Sequence, residues 1–281
     1  MKIWIIGKKG LLGKTLTNLC MQKKLAHIAT GHEEADITNR DQLARVAERE
    51  RPTHIVNCAA YTDVDGAEAH AAIAYSVNAE GAENSARVAR THGARLMHIS
   101  TDYVFDGRGC EPYLETDGCN PTNLYGKSKL EGELRVMEQC PTACILRTSW
   151  VFGPGGKNFI SSLLSHFKTR TEISAVADQI GRVTYCGDLA EAVLALLCHS
   201  GIFHFANKGA VSRFEIAEAL LRLAREKQMP MTCTSIQPVF SDAFPTVANR
   251  PSYSVLSTKK VENLLGCEPP SWKQALEKCL V

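Results

Sequence analysis

A glycine-rich loop at the extreme N-terminal end of the chain constrains its fold more than any other feature. Lys2–Ile6 is an apolar run with the length of a buried strand, and Gly7-Lys8-Lys9-Gly10-Leu11-Leu12-Gly13 follows it at once. An amphipathic stretch from Leu11 to Lys23 then reads as a helix. Glycines in such a loop permit a tight turn, close backbone approach to a pyrophosphate, and close packing of helix on strand. The backbone N–H groups of the helix N-terminus, among them those of Leu11 and Leu12, then face the anion. A simple strand-to-helix turn is the alternative; the position of the loop between a strand and a helix favours nucleotide binding.

The pattern beyond the loop alternates strand and helix. Strands are predicted at His27–Thr30, His54–Ala60, Arg95–Ser100 and Ala143–Val151, with helices at Arg40–Glu50, Gly66–His92 and Thr122–Glu138. This alternation predicts an α/β chain, a Rossmann-like doubly wound parallel sheet covered on both faces. After Gly153-Pro154-Gly155-Gly156 the alternation weakens. Residues 1–155 therefore read as a dinucleotide-binding domain with a segment returning near 185–206, and 156–281 as mainly a smaller C-terminal substrate-binding lobe. In that lobe helices are predicted at Phe159–Phe167, Leu189–Cys198, Arg213–Lys227 and Trp272–Leu280, and Pro238–Ser254 as irregular chain.

Composition narrows the function classes. Lys and Arg total 32 against 30 acids, so no basic field for nucleic acid is present. No apolar run reaches the roughly 18–20 residues that cross a bilayer, and the apolar start is too short for a signal peptide. A cytoplasmic location is expected, with no membrane partner. The eleven cysteines are scattered without a Cys-x-x-Cys pair, and the nine histidines show no ligand spacing. Buried free thiols, among them Cys58, Cys144 and Cys198, and no metal site are the expectation.

Chemistry concentrates around two stretches, Ser100-Thr101-Asp102-Tyr103-Val104-Phe105 and Leu124-Tyr125-Gly126-Lys127-Ser128-Lys129. On a helix Tyr125 and Lys129 share a face, and a neighbouring ammonium favours phenolate. That pairing predicts a Tyr125 pKa below its usual value of about 10. A Ser-Thr pair at a strand end adds hydroxyls. Together these are the groups needed to protonate the alkoxide that forms when a ketone accepts hydride.

The GxxGxxG spacing resembles that of the extended short-chain dehydrogenase/reductases. Longer runs narrow the resemblance: Ser100-Thr101-Asp102-Tyr103-Val104-Phe105-Asp106-Gly107, Asn123-Leu124-Tyr125-Gly126-Lys127-Ser128-Lys129, Arg147-Thr148-Ser149-Trp150, Asn158-Phe159, Asp178-Gln179, and Arg250-Pro251. In this order the chain is similar to the dTDP-4-dehydrorhamnose reductase family over some 250 residues. The resemblance implies a catalytic trio of Thr101, Tyr125 and Lys129, with Tyr125 the general acid and Lys129 on the nicotinamide ribose. It implies NADPH or NADH as cofactor and a dTDP-sugar as substrate, the reaction being reduction of the C4 ketone of dTDP-4-dehydro-L-rhamnose. Gly7, Gly10, Leu11, Leu12, Gly13, Asp36, Ile37, Ala59, Ala60, Tyr61, Tyr125 and Lys129 are the expected cofactor contacts. Thr101, Asp102, Trp150, Asn158 and Arg250 are the expected substrate contacts.

Several of these have plainer readings beside them. Asp36 is also suited to a helix-cap region before Arg40, Trp150 to a core aromatic, and Asn158 and Arg250 to caps or loops. The family's Asn at position 78 supports the active site, while a polar residue there also suits a surface. Two departures stand out. Lys14 and Thr15 replace the acids that bridge some relatives through magnesium, so a monomer or weak homodimer is expected. Arg182-Val183-Thr184 replaces the usual small-Pro-Thr beside the substrate region. Another nucleotide-sugar reductase or epimerase, which uses the same Tyr and Lys, and a non-catalytic subunit like the regulatory subunit of methionine adenosyltransferase, which shares the Ser100–Gly107 and Tyr125–Lys129 runs, remain the alternatives; Trp150 and Asn158-Phe159 favour the enzyme over the latter.

Overall fold

The computed structural model describes residues 1–156 and 158–280. Six strands, β1 (Ile3–Ile6), β2 (His27–Thr30), β3 (His54–Asn57), β4 (Arg95–Thr101), β5 (Cys144–Thr148) and β6 (Gly201–His204), form one sheet. The order is β6-β5-β4-β3-β1-β2, and every pairing is parallel. Strand order therefore reverses beside β1, the position where open α/β sheets bind ligands at the strands' C-terminal ends.

Period-two alternation explains why the strands are apolar throughout. Ile3, Ile5, Val56, Met97, Cys144 and Leu146 point to one face, against helices Leu11–Gln22 and Cys186–Leu196. Trp4, Ile6, Ile55, Leu96 and Ile145 point to the other, against Arg40–Glu50, Gly81–Thr91 and Leu124–Gln139. Both faces are dry, so both alternating sets are hydrophobic.

A third core lies in the C-terminal part, where Phe167, Ile173, Ile216, Leu220 and Leu276 pack together. Helices Phe159–Thr169, Arg213–Glu226 and Trp272–Cys279 surround a parallel two-stranded ribbon, Glu172–Val176 with Ser235–Val239. The ribbon was not predicted, and its second strand enters the stretch expected to be irregular. Its two strands are short and separated by more than fifty residues of chain, so local periodicity carries no trace of the pairing. The short helix Lys259–Leu265 was likewise not predicted.

Two predicted elements are interrupted. Ala143–Val151 does not run as one strand: β5 ends at Thr148, and Trp150 takes a left-handed φ of +44° before a two-residue strand resumes. Gly66–His92 breaks at His70 and then contains a π-helical turn over Ser76–Glu80. None of the eleven cysteines is paired, and Cys198 is exposed just beyond a helix end rather than buried.

Candidate active site

The loop after β1 and the loop after β3 press against each other. Gly7 has φ +93°, and a Cβ there would stand 2.8 Å from Ala59 N. A Cβ on Gly13 would stand 2.1 Å from the Gly7 carbonyl oxygen. Both positions therefore exclude any side chain. Gly10 differs, since its nearest neighbour would be 3.4 Å away. No protein atom requires a glycine at position 10, so the space is left for a ligand's approach.

Gly10 is the N-cap of helix Leu11–Gln22, with no side chain covering the first N–H groups. These loops line a groove of about 640 Å³ that includes Gly7, Gly10, Gly31, Asp36, Ile37, Ala59 and Ala60. Small residues, free amides and an open glycine suit an extended dinucleotide. Leu12 turns its side chain into the sheet core and Leu11 leans toward Gly156, so their contribution to a ligand is limited to backbone N–H. Tyr61 is not in the groove lining. Its N–H is held by Asn78 Oδ1 at 2.8 Å, and its phenol lies against Gly66.

Asn78 is buried rather than on the surface. Its amide also reaches Tyr61 O and Ser128 Oγ, at 3.1 and 2.9 Å, tying the π-helical turn to helix Leu124–Gln139. Lys8 and Lys9 are ion-paired with Glu34 and Glu33 at the mouth of the groove.

Further along the same sheet edge, Thr101 ends β4 and pairs in register with Thr148 at the end of β5. Its Oγ1 donates to Asp102 Oδ1 at 3.1 Å and accepts from Tyr103 N at 3.2 Å. Tyr125 enters from helix Leu124–Gln139, which is capped by Asn123 and pressed onto the turn of Tyr103. A Cβ on Gly126 would lie 2.2 Å from Tyr103 O. Tyr103 and Tyr125 meet edge to face, centroids 5.7 Å apart. The glycine after Tyr125 is thus what lets the phenol come this close to the end of β4.

The electrostatics differ from the sequence expectation. Burial pushes the Tyr125 phenol up, with the Thr101 hydroxyl opposing and Asp102 adding to the rise. Lys129 does not lower it. Its Nζ is instead directed to Ile99 O at 2.7 Å, with His98 Nε2 at 3.4 Å, deep under the sheet edge. The i,i+4 spacing places two Cβ atoms on one face but does not place the two long side chains' ends together. Burial also pulls Lys129 down to about 8 and pushes Asp102 up to about 6. Asp102 Oδ2 is buried without a partner. Such an oxygen is costly unless something brings it a donor.

A second cavity, about 350 Å³, lies beyond this point and is lined by Phe159, His166, Gln179, Arg213, Phe244 and Arg250 among others. Arg213 lies between two aromatic rings, 4.5 Å from the Trp150 centroid and 4.8 Å from that of Phe159. Arg213 was missed at the sequence level. Its only local mark is a Ser212/Glu215 capping box, a signal for a helix start and not for a ligand. Arg250 donates to Asp65 Oδ2 at 2.7 Å and approaches Tyr103 Oη at 3.3 Å.

Asn158, expected on the substrate, is an N-cap. Its amide hydrogens go to Gly153 O and Gly156 O, and its Oδ1 accepts from Ser161 N. Neither amide hydrogen remains for a ligand. Arg182, the departure noted beside this region, turns to Thr258 Oγ1 at 2.7 Å. The glycine before it packs under the Trp150 indole.

With this geometry in place the chain can be set against known proteins. Residues 1–281 match the family model described as RmlD substrate binding domain. The chain belongs to that family. The RmlD-domain relatives include a dTDP-4-dehydrorhamnose reductase of Aggregatibacter actinomycetemcomitans, 36% identical with 98% of this chain and 97% of the relative covered. A dTDP-4-keto-6-deoxy-D-glucose reductase of Streptomyces niveus is 37% identical over 90% of this chain and 88% of its own. Among solved structures, a dTDP-4-dehydrorhamnose reductase of Bacillus anthracis in complex with NADP superposes with a TM-score of 0.94. It is 38% identical, covering 99% of this chain and 98% of that one. Within the RmlD-domain fold of this chain, no helix of the described residues is long and apolar enough to cross a membrane.

Proposed function

We propose that the chain reduces the C4 ketone of dTDP-4-dehydro-L-rhamnose to dTDP-L-rhamnose, using NADPH or NADH, with Tyr125 as general acid. The observation that carries this reading is the meeting of Thr101, Asp102 and Tyr125 at the C-terminal sheet edge, between a dinucleotide-sized groove and a second, arginine-lined cavity. The relatives named dTDP-4-dehydrorhamnose reductase support it. A reduced nicotinamide bound in the groove supplies the hydride.

The remaining work falls to side chains. Because burial holds the Tyr125 phenol protonated at neutral pH, its Oη retains the proton that the C4 oxygen needs. When the ketone binds, the Thr101 hydroxyl turns its single hydrogen from Asp102 Oδ1 to the same oxygen and orients it. Asp102, ionised above about pH 6, offers its unpartnered Oδ2 to a sugar hydroxyl. Trp150, its ring faces taken by Arg213 and Gly181, presents its indole edge and N–H to the sugar. Arg213 and Arg250 supply the positive charge that a diphosphate requires. Residues 1–155 together with the returning segment near 185–206 act as the cofactor domain, and 156–281 mainly as the substrate lobe, in a monomer or weak homodimer.

The test is absorbance at 340 nm with the 4-keto sugar generated in situ and each cofactor offered separately. Stoichiometric oxidation that stops when the ketone is exhausted is expected. An epimerase returns its hydride and oxidises no added cofactor. Turnover with dTDP-4-keto-6-deoxy-D-glucose but not with the rhamnose precursor would reassign the sugar.

A further inference from the structure

Behind Lys129 lies a hydrogen-bonded pair, Asn57 and His98, to which the proposed reaction assigns no role. Asn57 ends β3 and His98 sits within β4; both are buried, as is Lys129. Asn57 Oδ1 accepts from Ala59 N at 3.0 Å, which fixes the orientation of its amide. The Asn57 Nδ2 group therefore faces His98 Nδ1, 3.0 Å away, as a donor. Nδ1 must accept, so the proton of the neutral imidazole resides on Nε2. That N–H points at Lys129 Nζ, 3.4 Å away. A donor there is matched by the lone pair of an amine and opposed by an ammonium. The opposite tautomer would relieve Lys129 only by setting Nδ1–H against the Asn57 amide hydrogens.

We infer that Asn57 and His98 form a relay of fixed polarity that favours the neutral amine over the ammonium of Lys129 in the cofactor-free protein. His98 is thus a positioning residue that acts through Lys129. The other groups around the amine do not cancel the relay. Cys58, from the loop after β3, is kept a neutral thiol by burial, which pushes it up to about 12. Glu133, one turn along the same helix, is occupied by Arg147, with Nη2 at 2.7 Å and Nε at 2.9 Å, and by Ser100. Tyr125, one turn back, is a neutral phenol. Ile99 O accepts from Lys129 at 2.7 Å in either protonation state. Burial lowers His98 well below its usual range, so the imidazole stays neutral while Lys129 titrates. On the functional reading above, ribose hydroxyls arriving at Nζ supply new acceptors that favour the ammonium, and the Lys129 midpoint rises as the cofactor binds.

The experiment is NMR of the full-length, ligand-free protein. Long-range 1H–15N spectra give the His98 tautomer, and lysine labelled at Cε gives the Lys129 midpoint, assigned with a Lys129→Met variant. The Nε2–H tautomer and a midpoint near 8 are expected. Asn57→Asp keeps an acceptor for Ala59 N but presents a carboxylate to Nδ1. It should switch His98 to the Nδ1–H form and raise the Lys129 midpoint by at least about one unit. An Nδ1–H tautomer in the native protein, or a Lys129 midpoint near the ordinary value of about 10.4, overturns the inference. So does a Lys129 midpoint that rises in Asn57→Asp without a change of tautomer, since added charge alone would then explain it. Because no turnover is measured, failure here is separate from failure of the proposed reaction.

Discussion

The groove beside β1 and the cavity beside Arg213 are built in opposite ways. The groove is made largely of backbone: three glycines, free helix amides and mostly small side chains, set by the loops after β1, β2 and β3, three neighbouring strands of the sheet, with residues 72–77 closing one side. The second cavity is made of long side chains, among them Phe159, Gln179, Arg213 and Arg250, drawn from segments far apart in the chain. Between them Trp150 is held in a left-handed conformation, which a non-glycine residue adopts at a cost of about 1–3 kcal/mol. A backbone-made site tolerates almost no added atom at its contact points. A side-chain-made site tolerates substitution sterically but depends on charge and orientation.

The largest expected effect lies at the junction of the two. Tyr125→Phe should reduce turnover by roughly 10²–10⁴ while cofactor affinity, read by fluorescence titration, stays unchanged. Retained turnover would remove Tyr125 from its role. Next comes Asp102. Its folded-state pKa is raised from 3.8 to about 6, so the folded protein binds the proton more tightly than the unfolded chain. The Asp102 contribution to stability therefore falls as pH rises from about 4 to 6 and is level above, while the buried imidazoles of His98 and His204, lowered by burial, contribute in the opposite direction, so the effect is read as the difference between native and variant. Asp102→Asn should remove this dependence and stabilise the ligand-free fold at pH 7–8 by on the order of 3 kcal/mol, while weakening sugar binding. Thermal melts from pH 4 to 8 check both the sign and the size; a variant less stable at pH 8 would contradict the account.

Glycine substitutions sharpen the contrast at the other end. Gly13→Ala places a methyl 2.1 Å from a carbonyl oxygen and should cost about 1–3 kcal/mol of stability. Gly10→Ala should leave the melting temperature nearly unchanged yet weaken cofactor binding, because its Cβ meets only the ligand's space. Equal effects on stability would mean that the loop is not divided in this way. The smallest effect is expected at Asn158, whose side chain is committed to a cap. Asn158→Ala should cost about 1 kcal/mol in chemical denaturation and leave kcat close to native. A large loss of substrate affinity would return Asn158 to the site.

Much of this protein was legible before any coordinates. The alternation of apolar runs and amphipathic stretches determined the parallel sheet and its covering helices, because strands buried on both faces must be apolar at every position. The glycine spacing located the groove, since the close approach of Gly13 to Gly7 is local, although Gly7 itself is crowded by Ala59 from the loop after β3. Tertiary structure decided the rest. Lys129 turns to Ile99 O and His98 rather than to the Tyr125 phenol, and burial moves Tyr125 up where pairing alone predicted down. Arg213 enters a cavity only because its helix packs beside Trp150 and Phe159. Asn158 and Tyr61 are spent on loops and turns. Asn158 is set by its own local cap, and for the other four the physical reason is common: periodicity records which face a residue occupies, whereas desolvation and the direction of a side chain depend on what the distant chain brings against it.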